Sequence, residues 1–256
     1  MIDRIYNYIL DYKLYVESLI RNGRLHKRYS DITLPYNGDG DLQEVWYHRN
    51  ADRWAKKEKN ILGKHVEEDD TVIDVGANMG FITVIIGNML GSDGSLYSFE
   101  PSEESFRKLE ETIRANNLSD TVEAINKGCG SKKDTKHLYH VSSSSGLYTT
   151  KPDRNNNVYG REKIDIVSLD EFFEEENTEN IDIIKIDTEG YEYKVLQGSK
   201  SIIRNYRPLI YLELCNEYKE SSKKSVNLLK KLDYSFDSNV EIANLDNGSN
   251  FLAKPK

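Results

Sequence analysis

The run IDIIKIDTEGYE at 181–192 places several acids and a lysine within a few residues, a grouping suited to proton transfer. Side chains alternate along a strand, so Lys185 and Asp187 share one face. Asp187 then falls at the carboxyl end, where an α/β sheet opens toward its ligand. A lysine inside a buried strand is costly unless paired, which predicts a partner in Asp187 or in Glu213 of the run LIYLEL at 209–214. Asp187 is the first candidate for a general base and Glu189 the second, with Lys185 and Glu213 orienting them or holding a substrate hydroxyl. A purely structural Lys185–Glu213 pair is the competing reading. His137 and His140 are further candidate bases, to be weighed against simple solvation. Asp187, Glu189 and Glu213 could also hold Mg2+ through oxygen. The chain has no His-x-x-x-His or paired-Cys pattern for a transition metal, and a metal is not favoured.

A second set of residues is suited to holding a ligand. DVGANMG at 74–80 follows an apolar run and precedes a helical pattern. Gly76 and Gly80 let backbone approach a ligand closely, and the helix start offers free N–H groups. The spacing is G-x-x-x-G, with Asn78 where a dinucleotide fingerprint carries its second glycine, which counts against NAD(P). A plain tight turn is the competing reading. FEP at 99–101 ends the next apolar run, and Glu100 lies 26 residues beyond Asp74. A carboxylate there can accept hydrogen bonds from both hydroxyls of a ribose. Its alternative is a solvated loop acid or a cap for a helix opening at Ser102, where Ser102 and Ser105 are cap candidates.

The elements that must position these groups follow from periodicity. Thr71–Val75, Ser95–Phe99, Val122–Ile125, Ile181–Asp187 and Leu209–Leu214 are apolar runs of strand length, with helical patterns between them over Ser102–Asn116 and Tyr191–Asn205. That alternation predicts a parallel sheet covered on both faces. The stretch 126–170 breaks the rhythm with SSSSG and NNN runs and reads as a hairpin-like excursion ending in a strand at Ile164–Leu169. Tyr234–Phe236 and Phe251–Ala253 flank a DNG turn signal and predict a terminal antiparallel pair. Residues 1–64 carry 12 basic and 9 acidic side chains, against 23 and 34 in the rest, and hold both tryptophans. They read as a helical extension of a 65–256 domain: a first helix ends near Asn22-Gly23, a loop follows, and a second helix covers about 50–64. The extension is expected to shape the acceptor site or an oligomer contact.

Composition removes several classes. With 256 residues the chain can bury a core without staples, and 17 Tyr argue against a solvated coil. Two cysteines make no disulfide framework. A net charge of −8 gives no general footprint for nucleic acid or anionic membrane. Charges interrupt the N-terminal apolar stretches, so neither a signal peptide nor a membrane span is expected, and a cytoplasmic location is.

Taken together, DVGANMGFIT at 74–83, FEPSEESFRKLEETIRANN at 99–117, VSLDEFF at 167–173, DIIKIDTEGYEYKVLQGS at 182–199 and P-LIYLEL at 208–214 resemble the FkbM-type family of S-adenosylmethionine-dependent methyltransferases. The resemblance covers roughly 65–215. It implies a class I methyltransferase fold, Rossmann-like, with a seven-stranded, mostly parallel sheet in the order 3-2-1-4-5-7-6 and its last strand antiparallel. It further implies that Asp74, Gly76, Asn78 and Gly80 cradle the methionine part of the cofactor, that Thr83 at the helix start and Ser102 also bind the cofactor, that Glu100 binds its ribose, and that Asn126 contacts adenine. The implied activity is O-methylation of a hydroxyl on a sugar, glycan or glycosylated metabolite. Two alternatives stay open: a nucleotide-linked oxidoreductase on the same sheet, and a non-catalytic module that binds a partner through the basic N-terminal segment.

Overall fold

The structure, a computed structural model, describes residues 25–29, 32–36, 42–141, 148–149, 158–176, 178–238, 240 and 249–256. The expected first helix and the DNG turn lie outside them. Strands β3 (Thr71–Val75), β4 (Ser95–Phe99), β5 (Val122–Ile125), β10 (Ile183–Ile186), β11 (Leu209–Leu214), β12 (Tyr234–Phe236) and β13 (Ser249–Pro255) form one seven-stranded sheet in the order β12-β13-β11-β10-β3-β4-β5. Its pairings are parallel except those of β13, which runs antiparallel to both β11 and β12. β3 and β10 adjoin at the centre with Lys185 opposite Asp74, so every residue of IIKI is buried and the one charge among them must find a partner inside.

Helices cover both faces. One core gathers Ile73, Phe99, Ile184, Ile186 and Leu212 under α4 (Leu169–Glu176), α5 (Glu192–Gln197), α6 (Lys200–Asn205) and α7 (Lys219–Lys231). The other gathers Val72, Leu96, Ile183 and Tyr211 under α1 (Leu42–Leu62), α2 (Phe81–Gly87) and α3 (Glu103–Ala115). At about 1.5–3 kcal/mol per fully buried aliphatic side chain, these two layers supply the main driving force. The expected helix over Tyr191–Asn205 is two helices, broken at Gly198. A Cβ there would lie 1.9 Å from the Gly130 carbonyl oxygen, so the backbone just past Cys129 packs directly against the break.

The N-terminal part departs from a purely helical extension. Where a loop is expected, β1 (Leu25–Tyr29) and β2 (Ile32–Tyr36) form an antiparallel hairpin. Ile32 and Leu34 enter the second core, and the Asn116 side chain at the end of α3 bonds both the N–H and the carbonyl of Thr33, at 2.8 and 2.7 Å. α1 also begins at Leu42, earlier than periodicity predicts.

The excursion after β5 is a second sheet, ordered β6-β9-β7-β8, built from β6 (Gly128–Cys129), β7 (Asp134–Val141), β8 (Tyr148–Thr149) and β9 (Val158–Val167). Leu138, Ile164 and Ile166 make its small core. The strand expected to end at Leu169 stops at Val167, because the Ser168 hydroxyl accepts the Glu171 N–H and starts α4. Among the described residues, no helix is long and apolar enough to cross a membrane.

Candidate active site

Three strand ends meet at Gly76. Its N–H and that of Ala77 donate to the Phe99 carbonyl, and its own carbonyl accepts Lys185 Nζ at 2.8 Å. Its φ of 79° lies in the left-handed region, and a Cβ would sit 1.8 Å from the Asp187 carbonyl oxygen, so only glycine fits. The turn continues with Asn78 at φ 52° and Gly80 at φ 90°.

Glu100 faces this turn. Its Oε2 accepts the Asn78 N–H and its Oε1 the Ser102 N–H, each at 2.9 Å. The carboxyl is 5% exposed, and burial pushes its pKa up to about 7 against the lowering effect of those two N–H groups and of Lys185. Beside it, the Asn78 Oδ1 is buried with no partner among the described residues. A glycine junction, a buried carboxylate with spare lone pairs and an orphaned amide oxygen make a suitable cradle for a ligand with a vicinal diol and an N–H or N+–H donor.

Asp74 and Thr83 stand behind the cradle. Both are fully buried: Asp74 Oδ1 meets Lys185 Nζ at 2.9 Å, and Oδ2 accepts the Thr83 hydroxyl at 2.7 Å. With 0% exposure they do not line the open cradle, which corrects the direct contact expected of Asp74 and of Thr83. They fix the turn from beneath. Lys185 likewise pairs first with Asp74 and only at 3.9 Å with Asp187, not with Glu213. Burial pulls its pKa down, but Asp74 and then Asp187 outweigh that and the net shift is upward.

The acids gather at the end of β10. Asp187, Glu189 and Glu213 each bring an oxygen within 4.8 Å of the others. Burial raises the Glu213 carboxyl well above the usual carboxylate range, helped by the charge of Asp187 and a hydrogen bond with it. Glu189 opens to solvent at the rim, yet its crowded carboxyl is pushed up to about 7 by desolvation and by Asp187, Glu192 and Glu217. Glu192 was not singled out above. Its Oε1 accepts the Gly190 N–H at 2.7 Å and the Thr188 hydroxyl at 3.1 Å, and so holds the turn that carries Glu189 at φ 50°. The signal available was an acid five residues past Asp187 at a helix start. Tyr218 packs its ring against Gly190, where a Cβ would meet Cγ at 2.5 Å.

The remaining candidates sit around the cradle. Ser102 precedes α3 as its N-cap, but its hydroxyl makes no capping bond and is buried without a protein partner. Asn126 donates to the carbonyls of Glu100 and Pro101 at 2.9 and 3.2 Å, tying the loop that carries Glu100. His140 pairs with Glu162 at 3.0 Å, and Glu162 caps the Glu103 N–H, so this histidine belongs to the start of α3. His137 lies on β7 near Tyr139.

A doubly covered, mainly parallel sheet with a glycine turn after its central strand and an acid at the end of the next defines a nucleoside-cofactor protein. The methyltransferase FkbM domain matches residues 74–236, and the chain belongs to that family. A hexuronic acid methyltransferase, AglP of Haloferax volcanii, is 26% identical over 171 residues, which is 64% of each chain. A methyltransferase, sdnD of Sordaria araneosa, is 24% identical over 154 residues, 50% of this chain and 59% of the relative. The chain thus matches less than two thirds of the length of either. Among solved structures, an O-methyltransferase from Bacillus cereus in complex with SAH has a TM-score of 0.51 at 16% identity, covering 85% of this chain and 91% of that one. At that identity the likeness shows the fold alone.

Proposed function

We propose that this chain transfers a methyl group from S-adenosylmethionine to a hydroxyl of a sugar, glycan or glycosylated metabolite. The observation that carries the reading is the junction at Gly76, which puts the Glu100 cradle and the Asp187–Glu213 pair on two sides of one residue. When bound, the cofactor supplies a sulfonium-activated methyl group. The chain's own task is alignment and proton handling. Glu100 accepts the ribose hydroxyls, the backbone from Gly76 to Gly80 holds the amino-acid end, and Asn126 edges the adenine. Asp187 accepts the proton of the acceptor hydroxyl, Glu213 keeps it oriented through their hydrogen bond, and Glu189 stands by at the rim. Lys185, already committed to Asp74, fixes Gly76 through its carbonyl and stands 3.9 Å from Asp187.

The sugar class is supported by the name of the Haloferax relative, and residues 1–64 are assigned to the border of the acceptor site. The acceptor is a small molecule or glycan and not a nucleic acid, the site works without a metal, and the protein acts in the cytoplasm. The test is transfer of radiolabelled methyl to a panel of neutral glycosides, hexuronic acid glycosides and an RNA oligonucleotide. Label on a sugar supports the reading; label on RNA alone contradicts it.

A further inference from the structure

Ala51, Ala55, Glu58 and Leu62 of α1 form one buried stripe at spacings of three and four, so Glu58 stands where the pattern calls for an apolar residue. A carboxylate 6% exposed needs a partner, and it has one: the Tyr211 hydroxyl donates to Oε2 at 2.5 Å. The solvent-side ammonium of Lys57 lies 3.9 Å from Oε1. Tyr211 is itself 2% exposed at the middle of β11, two residues before Glu213 and so on the same face. The side chain of Asn250 on β13 interacts with the same phenol. Asn250 is also the residue directly across the strand pair from Glu213. A string of side chains thus runs from α1, through β11, to the strand that flanks Glu213.

We propose that Glu58 is a positioning residue for the acceptor site: through Tyr211 and Asn250 it holds β11 and β13 so that Glu213 stays within hydrogen-bond reach of Asp187. This rests on the role given above to the Asp187–Glu213 pair. It makes a residue of the N-terminal extension, outside the matched family region, a determinant of the chemistry at the sheet's end. The geometry favours this over simple anchoring. An apolar residue at 58 would seal the stripe more cheaply, and Tyr211 lies on the strand that carries the acid.

The test uses the full chain loaded with S-adenosylhomocysteine and needs no acceptor. The side-chain carboxyl carbon of Glu213, assigned with Glu213→Gln, is followed by NMR against pH in four proteins. In Glu58→Gln the amide oxygen still accepts the phenol, so the Glu213 midpoint is expected to stay where it is in wild type. In Tyr211→Phe and in Glu58→Leu/Tyr211→Phe the string is cut, and the midpoint should fall by about one pH unit as the two carboxyls separate. The double variant removes the orphaned charge and should recover the melting temperature lost in Tyr211→Phe without recovering the midpoint. A midpoint restored together with the melting temperature would make the pair structural only. An equal fall in Glu58→Gln would mean charge acting through space, and either result overturns the proposal. A failed methyl-transfer screen would instead sink the function above and leave this titration readable.

Discussion

Glu100→Gln separates what the clamp costs the fold from what it gives the cofactor. Burial sets the carboxyl at about 7 in the folded protein, against a usual 4.5. A carboxyl whose folded pKa is raised favours the protonated form, so its contribution to stability is intact below pH 4.5 and is lost as pH rises to about 7. A shift of that size is worth about 3 kcal/mol. The replacement amide can accept only one of the two N–H groups now bound by Oε1 and Oε2, whereas the hydroxyl oxygen of the protonated carboxyl can still accept the other, so the amide costs about 1–2 kcal/mol relative to the acid. The variant should therefore unfold more easily than wild type at pH 4.5 and less easily at pH 8. Urea denaturation of the ligand-free protein at both values is the assay. Cofactor affinity should move the other way: if the ribose needs the carboxylate, wild-type Kd for S-adenosylhomocysteine rises roughly tenfold from pH 8 to pH 6, and Glu100→Gln binds weakly with a flat profile. A difference between variant and wild type that does not change sign with pH, or an unchanged Kd in the variant, would refute the reasoning.

Other substitutions probe the neighbouring parts. Gly76→Ala should abolish cofactor binding, because its methyl would displace the Asp187 carbonyl from 1.8 Å; circular dichroism tells this from global unfolding. Asp187→Asn should leave S-adenosylhomocysteine affinity within about threefold and cut turnover by about 10²–10⁴, the range for a lost general base; loss of binding alone would remove that role. Lys185→Met leaves Asp74 charged and fully buried, which should cost about 3–5 kcal/mol, while Lys185→Met/Asp74→Leu recovers part of it; equal stabilities would deny the ion pair. Exhaustive chelation should leave methyl transfer unchanged, and restoration by Mg2+ would instead put a metal at Asp187, Glu189 and Glu213.

The parts of the fold legible in the amino-acid order were those where one segment carries its own instruction. Thr71–Val75, Ser95–Phe99, Val122–Ile125, Leu209–Leu214 and Tyr234–Phe236 form strands over the bounds their apolar runs predict. DVGANMG and FEP bring the glycine turn and Glu100 together, with Glu100 accepting the Asn78 N–H. What stayed hidden depends on partners distant in the chain. The Lys185 counter-ion is Asp74, 111 residues away and set by the β3–β10 register, while the nearer acids in sequence are farther or unpaired with it. The β1–β2 hairpin draws its burial from Ile32 and Leu34 docking on α3, too short an alternation to stand out. Glu58 and Glu192 are buried acids whose partners, Tyr211 and the Thr188–Gly190 turn, come into view only after folding.

Calorimetric titration of the purified chain with S-adenosylhomocysteine and, separately, with NAD tests the central claim most directly. Stoichiometric binding of the first and none of the second is the predicted result, since Asn78 occupies the place where a dinucleotide fingerprint carries its second glycine. Binding of NAD without S-adenosylhomocysteine would contradict the account.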